Sequence, residues 1–414
     1  MSEGHSSETD PRIPVNPSHY PFLGFYQIES RRVSEPSCIL FTSYTSAAEN
    51  VNVSVRVVLK LLFEYQDTRF SLSTVKERQK CQIEALQWNR IFTPKVHIGL
   101  AHICNFDWDQ RNLEIDEIIE NPSLETLAPN IEYALLMRQL PDSRRLDYIL
   151  AEKNSSSLPR YIQLLIKYVV HIHTKLTALS IPIEDAMKWG SFVQLQKKLA
   201  HNLEFLDQIL AKNENDKYRS FFWLKNRLMQ VFEQFENLDY FERRVLEERI
   251  KRCHADLKAP NIWIAPLPFS GTPNEYWCNK EPWKYVYLLD AVDFNPMYSY
   301  IDILSDFAML VTDIYARTKS RELADFMIEE YLRLTLQADK ASRLVLAYYL
   351  VEKAIIGAAV SILYDNQPDL GLDFLEVAST CMIDLERQAS RQYRLPVVYS
   401  PTLSTTPLLN TGLE

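Results

Sequence analysis

The feature that most restricts how this chain can fold is a change of pattern at Pro141. Before it, residues 20–28, 37–44 and 51–65 carry the β-branched and aromatic side chains of strands, and shorter runs follow at 95–104, 113–117 and 132–138. One helical stretch interrupts them at 73–92. There Cys81, Glu84, Ala85, Trp88 and Phe92 recur at three and four, behind an N-cap signal at Ser73, Thr74 and Glu77. After Pro141 helical spacing takes over, at 145–151, 158–179, 191–211, 218–235, 242–253, 321–336, 341–363 and 374–392. Strands first and helices afterwards predict an α+β chain: a small antiparallel-sheet body over 19–140 and a larger helical body over 141–395. Residues 1–18 and 396–414 read as flexible tails. A ligand is expected in the cleft between the two bodies.

Composition narrows the classes further. A hydrophobic fraction of 47% with 24% charged residues is that of a globular protein. Six cysteines without a C-x-x-C pair point to reduced thiols in a cytoplasmic protein, with neither a zinc site nor a disulfide framework. A formal charge of -9 and no basic stripe argue against a nucleic-acid partner. The polar start lacks the apolar core of a signal peptide. The longest apolar stretch, 354–363, falls short of the roughly 20 residues a spanning helix needs, so no membrane partner is expected.

Chemistry gathers between His254 and Pro296. Asp256 is followed five residues on by Asn261, and an apolar run then ends at Asp290. This is the order of parts used in phosphoryl transfer, where one carboxylate accepts the hydroxyl proton while an amide oxygen and a second carboxylate hold Mg2+ on the nucleotide phosphates. Mg2+ is a hard cation that takes oxygen ligands, usually one or two carboxylates beside phosphates and waters. Lys60 lies inside an apolar strand, either snorkelling from it or aimed at phosphate. Glu84 lies beside the buried stripe of the following helix, either paired with Lys60 or solvated at the stripe's rim. Asp306, buried by pattern, must be hydrogen-bonded and is expected to brace the loop around Asp256. His171 and His173, two apart on a helix, face different ways and read as structural, and the mixed-charge run from 242 to 252 reads as an exposed helix.

Several blocks together resemble a known family. They are Ser73-Thr74-Val75-Lys76-Glu77-Arg78 leading to Glu84-Ala85-Leu86-Gln87-Trp88-Asn89-Arg90 and Gly99, then Met137-Arg138-Gln139-Leu140-Pro141 and Arg144-Arg145-Leu146-Asp147. Cys253-His254-Ala255-Asp256-Leu257 follows, then Asp290-Ala291-Val292-Asp293-Phe294-Asn295-Pro296 with Ile301-Asp302 and Ser305-Asp306-Phe307-Ala308. In order and spacing, over roughly residues 35–390, the chain resembles the kinase-like domain of the bifunctional aminoglycoside phosphotransferase/ATP-binding proteins, a branch of the protein-kinase-like superfamily. The resemblance implies a bilobal protein-kinase-like fold and an ATP- and Mg2+-dependent transfer of phosphate to a hydroxyl-bearing small molecule. It implies Lys60 on the phosphates with Glu84 as its partner, and Met137, Arg138, Gln139 and Leu140 as the hinge along the adenine. Asp256 would be the catalytic base, Asn261 and Asp290 the magnesium ligands, and His254 a residue that orients the loop.

The chain also departs from that family. The usual catalytic loop is H-G-D-L-H, whereas Ala255 and Lys258 stand here. Lys258, two residues after the base, matches the lysine that neutralises the transferred phosphoryl group in serine/threonine protein kinases. No G-x-x-x-x-G-K-[ST], D-F-G or A-P-E occurs, and none of the eight glycines clusters before Lys60 to cover phosphates. A kinase-like nucleotide-binding module without turnover is therefore the alternative expectation.

Overall fold

Strands form where the sequence alternates. The computed structural model describes residues 23–34, 37–46, 53–66, 71–152, 157–177, 179, 181–212, 216–266, 281–292 and 296–393; the expected tails and the residues 293–295 lie outside the described residues. The first strands are β1 (Gly24–Ser34), β2 (Ser37–Ser46), β3 (Val53–Leu62), β4 (His97–Asp107), β5 (Asn112–Ile119) and β6 (Tyr133–Arg138). They pair antiparallel in the order β1-β2-β3-β6-β4-β5, and β1 returns to β5 through Gly24↔Ile115 to Gln27↔Asn112, closing a barrel where a simple sheet was expected. Its interior is filled by Tyr26, Ile28, Leu40, Val57, Leu59, Leu113, Ile115 and Leu136. At the bulge in β4 a Cβ on Gly99 would stand 2.6 Å from the Ile119 carbonyl oxygen, so only glycine lets the strands approach so closely.

Helix α1 (Val75–Phe92) lies across the outside of the barrel. It begins in a capping box, with Thr74 accepting from the Glu77 N–H and Glu77 accepting from the Thr74 N–H. Ile83, Ala85 and Leu86 pack on Leu100, Tyr133 and Leu135 of the strands. Trp88 and Phe92, one turn on, belong instead to the core of the helical body. One helix thus has a foot in each body.

The helical body contains α2 (Leu146–Ala151), α3 (Leu158–Thr177), α4 (Ile183–Gly190), α5 (Phe192–Lys212), α6 (Asp216–Arg219), α7 (Trp223–Gln234) and α8 (Tyr240–Leu246). Three short strands follow, β7 (Ile250–Arg252), β8 (Ile262–Ile264) and β9 (Val286–Leu288), then α9 (Pro296–Ser299) and β10 (Tyr300–Asp302). The chain finishes with α10 (Ile303–Thr318), α11 (Arg321–Leu334), α12 (Lys340–Leu363) and α13 (Pro368–Tyr393).

Two expectations are corrected here. The helix read over 242–253 stops at Leu246: Glu248 takes a φ of 55°, and Ile250–Arg252 leaves as a strand that pairs with Tyr300–Asp302. Nor is that run an exposed helix throughout, because Arg244 is buried against both carboxylate oxygens of Asp302 and Lys251 is buried too. The apolar stretch read at 354–363 is part of a 24-residue helix, α12, long and apolar enough to cross a membrane by composition. Most of its surface is covered by α10 and α13, as befits a core helix.

Candidate active site

Two hairpin-like turns of the helical body meet the barrel at one place. The first is the loop from His254 to Asn261, which runs into β8; the second is the turn from Leu289 to Val292, which leaves β9. Because β8 and β9 pair, the turns are neighbours, and they are laced together: the Leu289 N–H donates to the Asn261 carbonyl and the Val292 N–H to the His254 carbonyl, both at 2.9 Å.

Helix α10 braces the first loop from beneath. Asp306 accepts from the N–H groups of His254 (3.3 Å) and Ala255 (2.8 Å), as expected of it, and also meets His173 Nε2 at 3.1 Å. His173 spends its other nitrogen on the Tyr331 hydroxyl and the Cys253 thiol donates to the Ile301 carbonyl at 3.6 Å, so His173, Cys253 and Asp306, though close enough to suggest a metal cluster, are each engaged in protein hydrogen bonds. Asp313, two turns further along α10, accepts from the Ala259 N–H at 2.7 Å and pairs with Arg317. Burial pushes its pKa up, while Arg317 and the Ala259 N–H pull it down. Asp313 was missed in the sequence; its signal is the seven-residue spacing from Asp306, which puts both carboxylates on one helix face.

On that platform sits Asp256. Its Oδ2 accepts from Asn261 Nδ2 at 2.8 Å and lies 3.1 Å from Lys258 Nζ. Burial works against the Lys258 cation, but the neighbouring Asp256, with Asp365 and Asp290 further off, outweighs it and raises the pKa. Asn261 Nδ2 also donates to the Asp256 carbonyl, which turns Oδ1 away from Asp256. His254 is fully buried, accepts the Asp256 N–H on Nδ1 and takes the edge of Phe92 at 5.0 Å. Burial lowers its pKa against the pull of Asp306, Asp256 and Asp290, which suits an orienting residue. Ala255 adopts a φ of 66°, the left-handed conformation for which a glycine is the easier choice.

On the barrel side, Lys60 projects from β3 on the face opposite the barrel interior. By register that face also carries Ile39, Phe41, Val58 and Met137, an apolar ceiling of which the sequence reading had named only Met137. Lys60 Nζ lies 3.4 Å from Asp290 Oδ1, joining positions 230 residues apart. Lys60 is the main cause of a lowered Asp290 pKa, with Lys258 and His254 adding to it against desolvation. The expected pairing of Lys60 with Glu84 is corrected: Glu84 pairs with Lys80, 3.8 Å away, and is half exposed. The positions of α1 that face the strand and the turns are Gln82, which donates to the Lys60 carbonyl at 2.8 Å, and Asn89. At the end of β6, Arg138 and Gln139 donate their backbone N–H groups to the Val96 and Arg56 carbonyls, and Leu140 packs on the helical core. Gln139 Oε1 is buried with no hydrogen-bond partner among the described residues. A hollow of about 240 Å³ between α7, α12 and α13 contributes none of these groups.

Asp256, Lys258, Asn261, Asp290 and Lys60 therefore stand together, with His254 beneath them; Glu84 does not join them. A carboxylate and an amide oxygen on linked turns are donors that suit a hard divalent cation. No protein-family model matches the chain, and no curated protein matches it in sequence. Among solved structures it is similar to an ethanolamine kinase of Plasmodium vivax, with 12% identity over 91% of this chain and 86% of the other and a TM-score of 0.41. It is similar also to the GDP complex of aminoglycoside 2'-phosphotransferase-IIIa (11%, 91% and 96%, TM-score 0.39) and to a choline/ethanolamine kinase family protein of Mesorhizobium loti (10%, 87% and 87%, TM-score 0.32).

Proposed function

We propose that this chain is a bilobal, protein-kinase-like phosphotransferase that moves phosphate from ATP to a hydroxyl of a small molecule. One observation carries the reading: the strand lysine Lys60 meets Asp290 at 3.4 Å beside the Asp256–Lys258–Asn261 cluster, so cations, carboxylates and an amide from the barrel and from both turns stand together.

Asp256 would orient the acceptor hydroxyl and take its proton as its oxygen bonds to the terminal phosphorus of ATP and the bond from that phosphorus to the bridging oxygen breaks, releasing ADP. Lys258 would neutralise charge on the transferred group, and Lys60 would hold the phosphates. Asn261 and Asp290 would hold Mg2+, which when bound supplies charge neutralisation between the phosphate oxygens. The apolar face of Ile39, Phe41, Val58 and Met137 would cover the adenine beside the hinge residues Met137 to Leu140. His254 would keep the loop in register from beneath.

A second reading, a nucleotide-binding module without turnover, is favoured by one feature: Lys258 and Asn261 both engage Asp256 Oδ2, which leaves Oδ1 alone to face an acceptor hydroxyl. ATP consumption across a panel of amino sugars, sugars, choline-like alcohols and protein hydroxyls separates the two. The enzymatic reading expects turnover with at least one acceptor and a loss of about 10²- to 10⁴-fold in Asp256→Asn. Magnesium-dependent stabilisation by ATP without consumption on any acceptor would favour the module.

A further inference from the structure

We infer that Asn89 and Thr93, at the end of α1, are positioning residues that set the Asp290 carboxylate; the inference rests on the reading of Asp290 as a metal ligand. The residues flanking Asp290 are pinned alternately to two different parts of the molecule. Thr93 Oγ1 accepts the Leu288 N–H at 3.0 Å and donates back to the Leu288 carbonyl at 2.6 Å. Asn89 Oδ1 accepts the Ala291 N–H at 3.0 Å, and its Nδ2 donates to the Ala85 carbonyl at 2.9 Å, which fixes the amide's orientation. The Leu289 and Val292 N–H groups go the other way, to the carbonyls of Asn261 and His254. Asp290 sits between these anchors with a φ of 60°. A non-glycine residue keeps such a conformation only where its surroundings over-determine it.

Both side chains are suited to holding rather than reacting. Asn89 and Thr93 are 3% and 2% exposed, and their side chains hydrogen-bond to backbone groups. The end of α1 that carries them is itself fastened to the helical body, since the Tyr168 hydroxyl donates to the Phe92 carbonyl and the Phe92 ring meets His254 edge to face. The helix is thereby coupled to the metal turn through Asn89 and Thr93, while Glu84, more than a turn earlier on the same helix, pairs with Lys80 instead. Groups behind a metal ligand that fix its direction are worth about 10- to 100-fold in metal affinity.

The test is the thermal shift of the full chain with ATP as Mg2+ is titrated, for the native protein, Asp290→Asn, Asn89→Leu, Thr93→Val and Gln79→Leu. Gln79 is buried on the same helix and gives two hydrogen bonds to the Ala128 and Ile131 carbonyls, remote from the metal turn, so its variant reports plain destabilisation. The expected result is a Mg2+ midpoint about tenfold higher in Asn89→Leu and Thr93→Val, with Gln79→Leu melting lower but keeping the native midpoint. Thr93→Val, nearly isosteric, carries the test if Asn89→Leu does not fold. If the native protein and Asp290→Asn differ as the metal reading requires while both clamp variants keep the native midpoint, the positioning role is wrong. If the ATP response of the native protein ignores both Mg2+ and Asp290, the metal reading fails and the inference with it.

Discussion

Loop 254–261 and strand β3 both meet the turn that carries Asp290, yet they are secured in opposite ways. The loop stands on two buried carboxylates of a single helix, Asp306 and Asp313, which between them take the N–H groups of His254, Ala255 and Ala259. Lys60, by contrast, projects from a strand and meets a carboxylate that is 65% exposed, so their attraction is screened by water. A buried carboxylate that loses its donors is costly, whereas an exposed ion pair is cheap to open. The difference teaches that the loop around Asp256 is fixed by buried acceptors, whereas the Lys60–Asp290 contact adds little to hold its strand in place.

Breaking the fixed side should have the largest effect. Asp306→Ala leaves two buried N–H groups and His173 without their acceptor and should cost about 3–5 kcal/mol in denaturant unfolding. A loss below about 1 kcal/mol would mean that the loop does not depend on its brace.

Acid should act next, at the seam between the two sides. His97 is 3% exposed, and burial lowers its pKa from 6.5 to about 4, only partly offset by the Thr93 carbonyl. A folded pKa below the unfolded one means that the unfolded chain takes the proton first. The neutral histidine's contribution is thus whole above pH 6.5 and fades as pH falls towards 4, by about 3 kcal/mol in all. His97→Asn should flatten the decline of stability over that window; an unchanged decline would remove His97 from the account. Asp290 and Lys258 act outside this window, since a lowered carboxylate pKa loses its contribution only at more acid pH and a raised lysine pKa only at alkaline pH.

Smaller effects sharpen the contrast. Ala255→Gly relieves a left-handed alanine in the braced loop and should stabilise by about 0.5–1 kcal/mol, read as a higher midpoint with the same denaturant slope. Glu84→Gln should change stability by no more than about 0.5 kcal/mol, since its pair with Lys80 is on the surface, and should leave ATP binding as it was. A loss of ATP affinity in that variant would return Glu84 to Lys60.

The contrast also explains what could be read from the sequence. The strand-to-helix change at Pro141, the spacing of Asp256, Asn261 and Asp290, and a buried Asp306 are local patterns, and they survive in the structure. What escaped was non-local. Barrel closure depends on β1 meeting β5, and the turn after Leu246 depends on Ile250–Arg252 finding Tyr300–Asp302. On α1 the inward face includes the amides Gln82 and Asn89, which break the apolar signal and leave Glu84 looking nearer the buried stripe than it is. A buried amide must spend its hydrogen bonds, and that demand shows only once its partners are in place.

The most direct test of the central claim, that Lys60 and Asp290 close on one magnesium-bound nucleotide, is calorimetric titration of ATP into the native protein, Lys60→Met and Asp290→Asn, each with Mg2+ and with EDTA. Binding should depend on Mg2+ in the native protein, weaken about tenfold or more in Lys60→Met, and lose its dependence on Mg2+ in Asp290→Asn. Equal affinity in all three proteins, with or without the metal, would contradict it.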